Sequence, residues 1–182
     1  MSKDKQRRNR RSYLDQFTPN EDGSYTYKGV CYRRDASYTP VILWSAVAFL
    51  AAVASGLFPY EPMMNTIYVI LPFLGEVTVG GFLLWGAIRV AYHGQVLREY
   101  VYEKTAARVN ALSITMVVFS LLGAIWNLVY LILCSFQVDT LFTVLFFLCK
   151  IFATAAVLMA RRGAGEIQWE KVAPGKATAL DD

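Results

Sequence analysis

Four long apolar runs constrain this chain more than any other feature, at about Val41 to Phe58, Thr66 to Val90, Ala111 to Cys134 and Thr140 to Ala160. The hydrocarbon core of a bilayer is about 30 Å thick and takes about 20 mostly apolar residues to cross as a helix. In lipid the backbone has no water to bond, so a spanning segment must satisfy its own hydrogen bonds. A barrel strand would alternate apolar and polar residues, and these runs do not. The expected fold class is therefore an all-α integral membrane protein, a four-transmembrane-helix up-down bundle. Composition agrees, with 55% hydrophobic and 18% charged residues, against roughly 45–50% and 25% in a soluble domain. That balance argues against disorder and against an ordinary soluble enzyme.

The links set the topology. The first, Pro59 to Asn65, is short and holds two prolines, and the third, Ser135 to Asp139, is shorter still, so both impose antiparallel neighbours. The second, about 91–110, is longer and polar. Its part from Val96 to Asn110 reads as helix, with Thr105 as a candidate N-cap. Lysine and arginine orient the bundle. The first 40 residues carry nine of them, namely Lys3, Lys5, Arg7, Arg8, Arg10, Arg11, Lys28, Arg33 and Arg34. The second link region adds Arg89, Arg98, Lys104 and Arg108, and the tail Arg161, Arg162, Lys171 and Lys176, whereas the first and third links hold only Glu61 and Asp139. Both termini are thus expected to be cytoplasmic, in the cytoplasmic membrane of a bacterium. No apolar run precedes Val41, so the first helix is expected to act as an uncleaved signal anchor.

Three cytoplasmic parts follow from this division. Residues 1–40 form a basic arm and a candidate β-hairpin, 91–110 a link, and 161–182 a tail. The arm residues Lys3, Lys5, Arg7, Arg8, Arg10 and Arg11 suit a topogenic signal and contact with anionic lipid, at about 1 kcal/mol per basic residue near the surface. Nucleic acid is not an expected partner. In the hairpin, Asp22 to Arg34, Tyr25 and Tyr27 alternate with polar residues, Lys28-Gly29 turns, and Val30 to Arg33 returns. A lone hairpin is marginal in water, so it needs packing within the chain, at the membrane interface or on a partner. Trp169 is placed to anchor the tail at that interface.

Of 18 basic and 14 acidic side chains, only Glu76 and Lys150 fall deep within the runs. Glu76 lies eleven residues after Asn65 and Lys150 eleven after Asp139, a rise of about 16 Å in each case, near the midplane. An unpaired charge there costs roughly 2.5–3.5 kcal/mol on insertion scales. A Glu76–Lys150 contact, within one chain or between protomers, is the economical solution. Lys150 shares a helix face with Asp139, Thr143, Thr154 and Arg161, while Ser113, Ser120, Asn127 and Cys134 recur every seven residues on the third helix. Pro72 precedes Glu76 by one turn and cannot donate to the Tyr68 carbonyl. The candidate intramembrane polar site is therefore Glu76, Lys150, Thr143, Thr154, Asn127 and Ser120. Such a cluster either glues helices together or lines a path for an ion, proton or small solute. Ala48, Ala52 and Gly56 form a small-xxx-small ladder, a candidate packing face for a neighbouring helix, a second copy or another membrane subunit.

No catalytic constellation accompanies these features. There is no Cys-x-x-Cys, and His93 stands apart from any cysteine or carboxylate cluster. Cys134 and Cys149 differ by about 15 Å in depth, too far for a disulfide. No phosphate-binding glycine loop is present. The expectation is a non-enzymatic protein without cofactor or metal, an accessory or scaffolding subunit of a membrane complex. The alternative is a small oligomeric transporter or channel built on the midplane Glu–Lys site.

Overall fold

Buried positions along each long helix recur mostly at steps of three and four, and that rhythm explains how the helices pack. The computed structural model describes residues 17–19, 25–58, 61–62, 66–134 and 139–173. Its elements run β1 (Phe17–Pro19), β2 (Tyr25–Tyr27), β3 (Cys31–Arg34), α1 (Thr39–Ala54), α2 (Ile67–Tyr92), β4 (Val96–Arg98), α3 (Glu99–Lys104), a 3-10 turn (Ala106–Arg108), α4 (Val109–Leu133), α5 (Thr140–Glu166) and β5 (Trp169–Val172). The inward stripe of α2 includes Val69, Pro72, Glu76, Gly80 and Leu83. That of α4 is Val109, Ser113, Met116, Ser120, Gly123, Asn127 and Leu131. A seven-residue repeat of this kind keeps one seam facing its neighbours in a left-handed bundle.

The stripes are rich in small and polar residues, and most of the large apolar residues point outward. Leu71, Leu74, Phe82, Trp85 and Ile88 on α2, and Ile114, Val118, Leu121, Ile125 and Leu128 on α4, are all exposed. Water does not tolerate apolar surface of that extent on a stable monomer, whereas hydrocarbon does. By length and composition α2, α5 and the continuous run Glu99–Leu133 can each cross a membrane.

Helix α1 is shorter than expected. Its 16 residues rise about 24 Å, and it stops at Ala54 rather than Phe58. Ser55 Oγ donates to the Ala52 carbonyl at 2.7 Å, and Gly56 and Leu57 N–H groups bond three residues back, to Val53 and Ala54. This tightening ends the helix, and the sequence that follows does not resume it, because Pro59 disfavours helical geometry at Phe58. In contrast, α5 runs to Glu166, six residues past the apolar boundary at Ala160.

Around the bundle, α1 packs on α2 and α5, and α4 packs on α2 and α5. Helices α2 and α5 therefore face one another across a diagonal. Ala48 and Ala52 of the ladder are buried with Ala153, Ala156 and Val157 of α5, so they serve a contact inside the chain. Gly56, the third rung, is exposed in the turn after the helix.

The polar segments do not follow the all-helical expectation. Val96–Arg98, read as helix from sequence, is strand β4. It pairs antiparallel with β3, with Tyr32 opposite Leu97. On its other edge β3 pairs with β5, with Arg34 opposite Trp169. The expected hairpin is corrected in the same way: Tyr25–Tyr27 and Cys31–Arg34 are both strands, but they pair with other segments. Strand β2 pairs with β1, Phe17 opposite Tyr27. The hairpin's first residues, 22–24, lie outside the described residues. Thr105 caps no helix by its side chain; its Oγ1 donates back to the Val101 carbonyl at 2.6 Å. Gly94, at φ +73°, supplies the left-handed turn that sends the chain from α2 into β4.

The segment before α1, the link after α2 and the segment after α5 therefore meet in one sheet, at one end of the bundle. Beneath it Tyr38, Val41, Ala87, Val90, Leu97, Val101 and Ile167 form a second core. Trp169 packs edge-on against Tyr38 and Tyr102, and Tyr102 stacks on Tyr32 with ring centroids 4.1 Å apart.

Enlarging the α1–α5 contact tests this packing. Ala52→Leu is expected to cost about 1–3 kcal/mol by overpacking, read as a lower unfolding midpoint in detergent. Ala111→Leu, at an exposed position of α4, is expected to leave the midpoint unchanged.

Candidate functional site

The two deep charges meet. Lys150 on α5 forms a salt bridge with Glu76 Oε2 on α2. Glu76 is 0% exposed and Lys150 3%. The helices that carry them are not packed neighbours, so the pair spans the centre of the bundle. Gly123 lies beside the pair at ordinary van der Waals spacing. A Cβ added to Gly123 on α4 would lie 3.7 Å from both Lys150 Cε and Pro72 Cβ, and 3.8 Å from Lys150 Nζ. The ammonium also lies over the rings of Phe146 and Phe73, at 5.1 and 5.6 Å from their centroids. Aromatic faces carry partial negative charge, so they stabilise the cation where water is absent.

A second polar contact flanks the pair. Thr154 Oγ1 and Ser120 Oγ are hydrogen-bonded at 3.1 Å, joining α5 to α4. Ser120, Lys150 and Thr154 form the polar floor of an otherwise apolar groove of about 360 Å³ between these helices, lined by Leu121, Phe147 and Ile151 among others. Asn127 is fully buried on the same stripe of α4, as are Ser113 and Ser120. Thr143 does not join them. Its Oγ1 donates to the Asp139 carbonyl at 2.8 Å, in the first turn of α5, where Asp139 Oδ1 accepts from the Leu141 and Phe142 N–H groups. Among the described residues, Glu76 Oε1 and Ser113 Oγ have no hydrogen-bond partner.

Five of the six intramembrane residues named from sequence thus lie on the inward faces of α2, α4 and α5, and Thr143 does not reach them. Gly123, Phe73 and Phe146 were missed. Gly123 lies between Ser120 and Asn127 on the seven-residue stripe, so its spacing was a usable signal. Phe73 and Phe146 carry no such signal, because phenylalanines are common along these runs. The basic arm, Lys3, Lys5, Arg7, Arg8, Arg10 and Arg11, lies outside the described residues.

The sheet end has its own polar cleft, lined by Arg33, Arg34, Asp35, Gln95, Gln168 and Glu170 beside Trp169. Asp35 closes its base, accepting from the Gln168 N–H at 3.0 Å. The Arg34 guanidinium lies 5.8 Å from the Tyr38 ring centroid; burial lowers its pKa, and the neighbouring Tyr38 partly offsets this. Burial pushes the Tyr38 phenol well up, with Arg34 opposing and Tyr102 adding to the rise. The Cys31 thiol is likewise raised by burial, against the pull of Arg98. His93 is exposed at the end of α2 beside the Tyr92 ring. Among the described residues, no three of His, Cys, Asp and Glu are grouped to hold a metal ion.

Comparisons with protein-family models, curated proteins and solved structures returned no match. The functional reading therefore rests on the chain's own chemistry.

Breaking one side of the ion pair leaves a buried charge without its partner. Glu76→Gln and Lys150→Met are each expected to lower unfolding free energy by about 3–5 kcal/mol, measured by denaturant titration in mild detergent. At the sheet end, a raised Cys31 pKa leaves less thiolate at a given pH. Maleimide labelling of Cys31 at pH 8 is therefore expected to be at least tenfold slower in the folded protein than after denaturation.

Proposed function

We propose that this chain is a multi-pass membrane protein that acts without catalysis, as an accessory or scaffolding subunit of a membrane complex. In this reading all four long helices span. Helix α1 completes its crossing with the turn at Ser55–Phe58, since about 17 residues suffice in a thin or tilted case. The sheet end, which gathers Lys28, Arg33, Arg34, Arg98 and Lys171, faces the cytoplasm, and the acidic links face outward. Both termini are then cytoplasmic.

One observation carries the scaffolding role: the only two deep charges are closed on one another across the diagonal of the bundle, away from solvent. Paired in this way, they hold two helices that do not otherwise pack. A fixed, enclosed pair suits a lock on register and shape. The sheet cleft, with polar side chains of both signs, supports a cytoplasmic contact with a partner protein.

A second reading is favoured by the unpartnered Glu76 Oε1 and by the groove whose floor includes Lys150. In that reading the pair opens transiently and passes a proton or small ion, in a transporter or channel.

Two measurements on the wild-type protein separate these readings. Purification in mild detergent is expected to retain a stoichiometric membrane partner, and proteoliposomes are expected to show no proton, sodium or potassium flux above protein-free controls. Flux from the protein alone would overturn the scaffolding role. Orientation is tested by Glu61→Cys and Gln95→Cys in a background with all three native cysteines replaced by serine. Only the Glu61 site is expected to label with an impermeant maleimide in intact cells.

A further inference from the structure

A second groove, distinct from the ion-pair site, lies between the last turns of α2 and the start of α4. It encloses about 350 Å³ and is lined at one end by Arg89, Lys104 and Arg108, and at the other by Phe82, Leu83 and Leu112. Three cations therefore converge at its polar end. Among the described residues the ion pairs are Lys150–Glu76 and Arg162–Glu166, so no carboxylate neutralises them, including Glu99 and Glu103 on the adjacent α3.

Arg89 and Lys104 are held in place by aromatic and hydroxyl groups rather than by opposite charge. The Arg89 guanidinium donates to the Tyr100 hydroxyl at 2.8 Å and lies 5.1 Å from the Trp85 ring centroid. Lys104 lies 5.4 Å from the centroid of the same Tyr100 ring. These contacts restrict two of the three cations that line the groove.

The two ends differ in chemistry along the helix axis. The basic end adjoins the sheet, and the apolar end runs toward the bundle centre beside outward-facing Phe82 and Trp85. A ligand that fits must carry an anionic head and an apolar tail in that order. Tryptophan at the boundary is the usual companion of a headgroup level, and basic pockets between spanning helices on the cytoplasmic side suit phosphate headgroups.

We propose that this groove binds one anionic glycerophospholipid, with its phosphate on Arg89, Lys104 and Arg108 and an acyl chain along Phe82, Leu83 and Leu112. The site rests on the membrane placement proposed above, but on neither the scaffolding nor the transport role. It is separate from the diffuse attraction expected of the basic arm, because it is a fixed groove with an apolar floor.

Native mass spectrometry of the full chain, titrated with phosphatidylglycerol or phosphatidylcholine of equal chain length, tests the assignment. The wild type is expected to hold one phosphatidylglycerol more tightly than phosphatidylcholine. Replacing Arg89, Lys104 and Arg108 together by Gln is expected to weaken that preference about 100-fold. The same charge change at Lys28, Arg33 and Arg161, which are exposed and outside the groove, is expected to leave it unaltered. Equal weakening by both triple variants would overturn the site in favour of net charge alone. Displacement of the lipid by millimolar inorganic phosphate would overturn the lipid in favour of a free anion. A wild-type readout guards against misfolded variants. Phosphatidylglycerol with a photoreactive acyl chain is expected to label the peptides holding Phe82–Trp85 and Leu112, and labelling spread evenly over the outer surface would refute the groove. A wild type that inserts into membranes but shows no preference for phosphatidylglycerol sinks only this inference, whereas failure of the wild type to insert sinks the membrane reading beneath it.

Discussion

The Glu76–Lys150 pair is the interaction on which the rest of the structure depends. Two charges at the centre of a bundle in a low-dielectric medium are costly apart and tolerable only together. Their pairing therefore fixes the rotation of α2 and α5 about their own axes, since either helix turned by half a turn would present its charge to hydrocarbon. It also fixes their relative height. Once those two helices are set, the small residues follow: Gly123 packs beside the ammonium, and Ala48 and Ala52 let α1 close against α5. Small and polar residues share the inward stripes with a few large apolar ones such as Leu83, Met116 and Phe146, and the charged pair lies among them.

The sheet end provides the second constraint. Three segments far apart in sequence enter one sheet in the order β4-β3-β5. That order requires the chain to return to the same end after α2 and again after α5. It also ties the first helix to the last, because β3 leads into α1 and β5 follows α5. Packing of Tyr32, Tyr38, Tyr102 and Trp169 holds the sheet on the helix ends. The bundle is thus restrained at its centre by charge and at one end by strand pairing and aromatic contacts. This combination suits a rigid part of a larger assembly.

Much of this was legible in the sequence, and the reasons differ by feature. The apolar runs read directly as helices because such runs suit a backbone that satisfies its own hydrogen bonds, and the matching levels at which Glu76 and Lys150 meet followed from counting residues. The strands were harder. Val96–Arg98 is too short for a periodic pattern, and its partner strand, at Cys31–Arg33, lies more than sixty residues earlier in the chain, so nothing local revealed the pairing. Tyr25–Tyr27 and Cys31–Arg34 carried strand character, but local spacing suggested that they pair with one another, whereas the first pairs with the preceding Phe17–Pro19 and the second with the distant β4 and β5. Thr143 shared a helical face with Lys150, yet a threonine one turn into a helix can satisfy itself on the backbone, and sequence does not reveal which option it takes. The α2–α4 groove was hidden for a similar reason: Arg89, Lys104 and Arg108 were visible as topogenic charges, and only the fold brings them to one place.

The most direct test of the central claim is a charge exchange, Glu76→Lys with Lys150→Glu, compared with each single replacement by thermal unfolding in lipid nanodiscs. If the pair locks the bundle across its diagonal, the exchange variant restores most of the stability that either single replacement loses, because attraction at the same depth is regained. Losses that simply add would show that the two side chains act independently and would contradict the account.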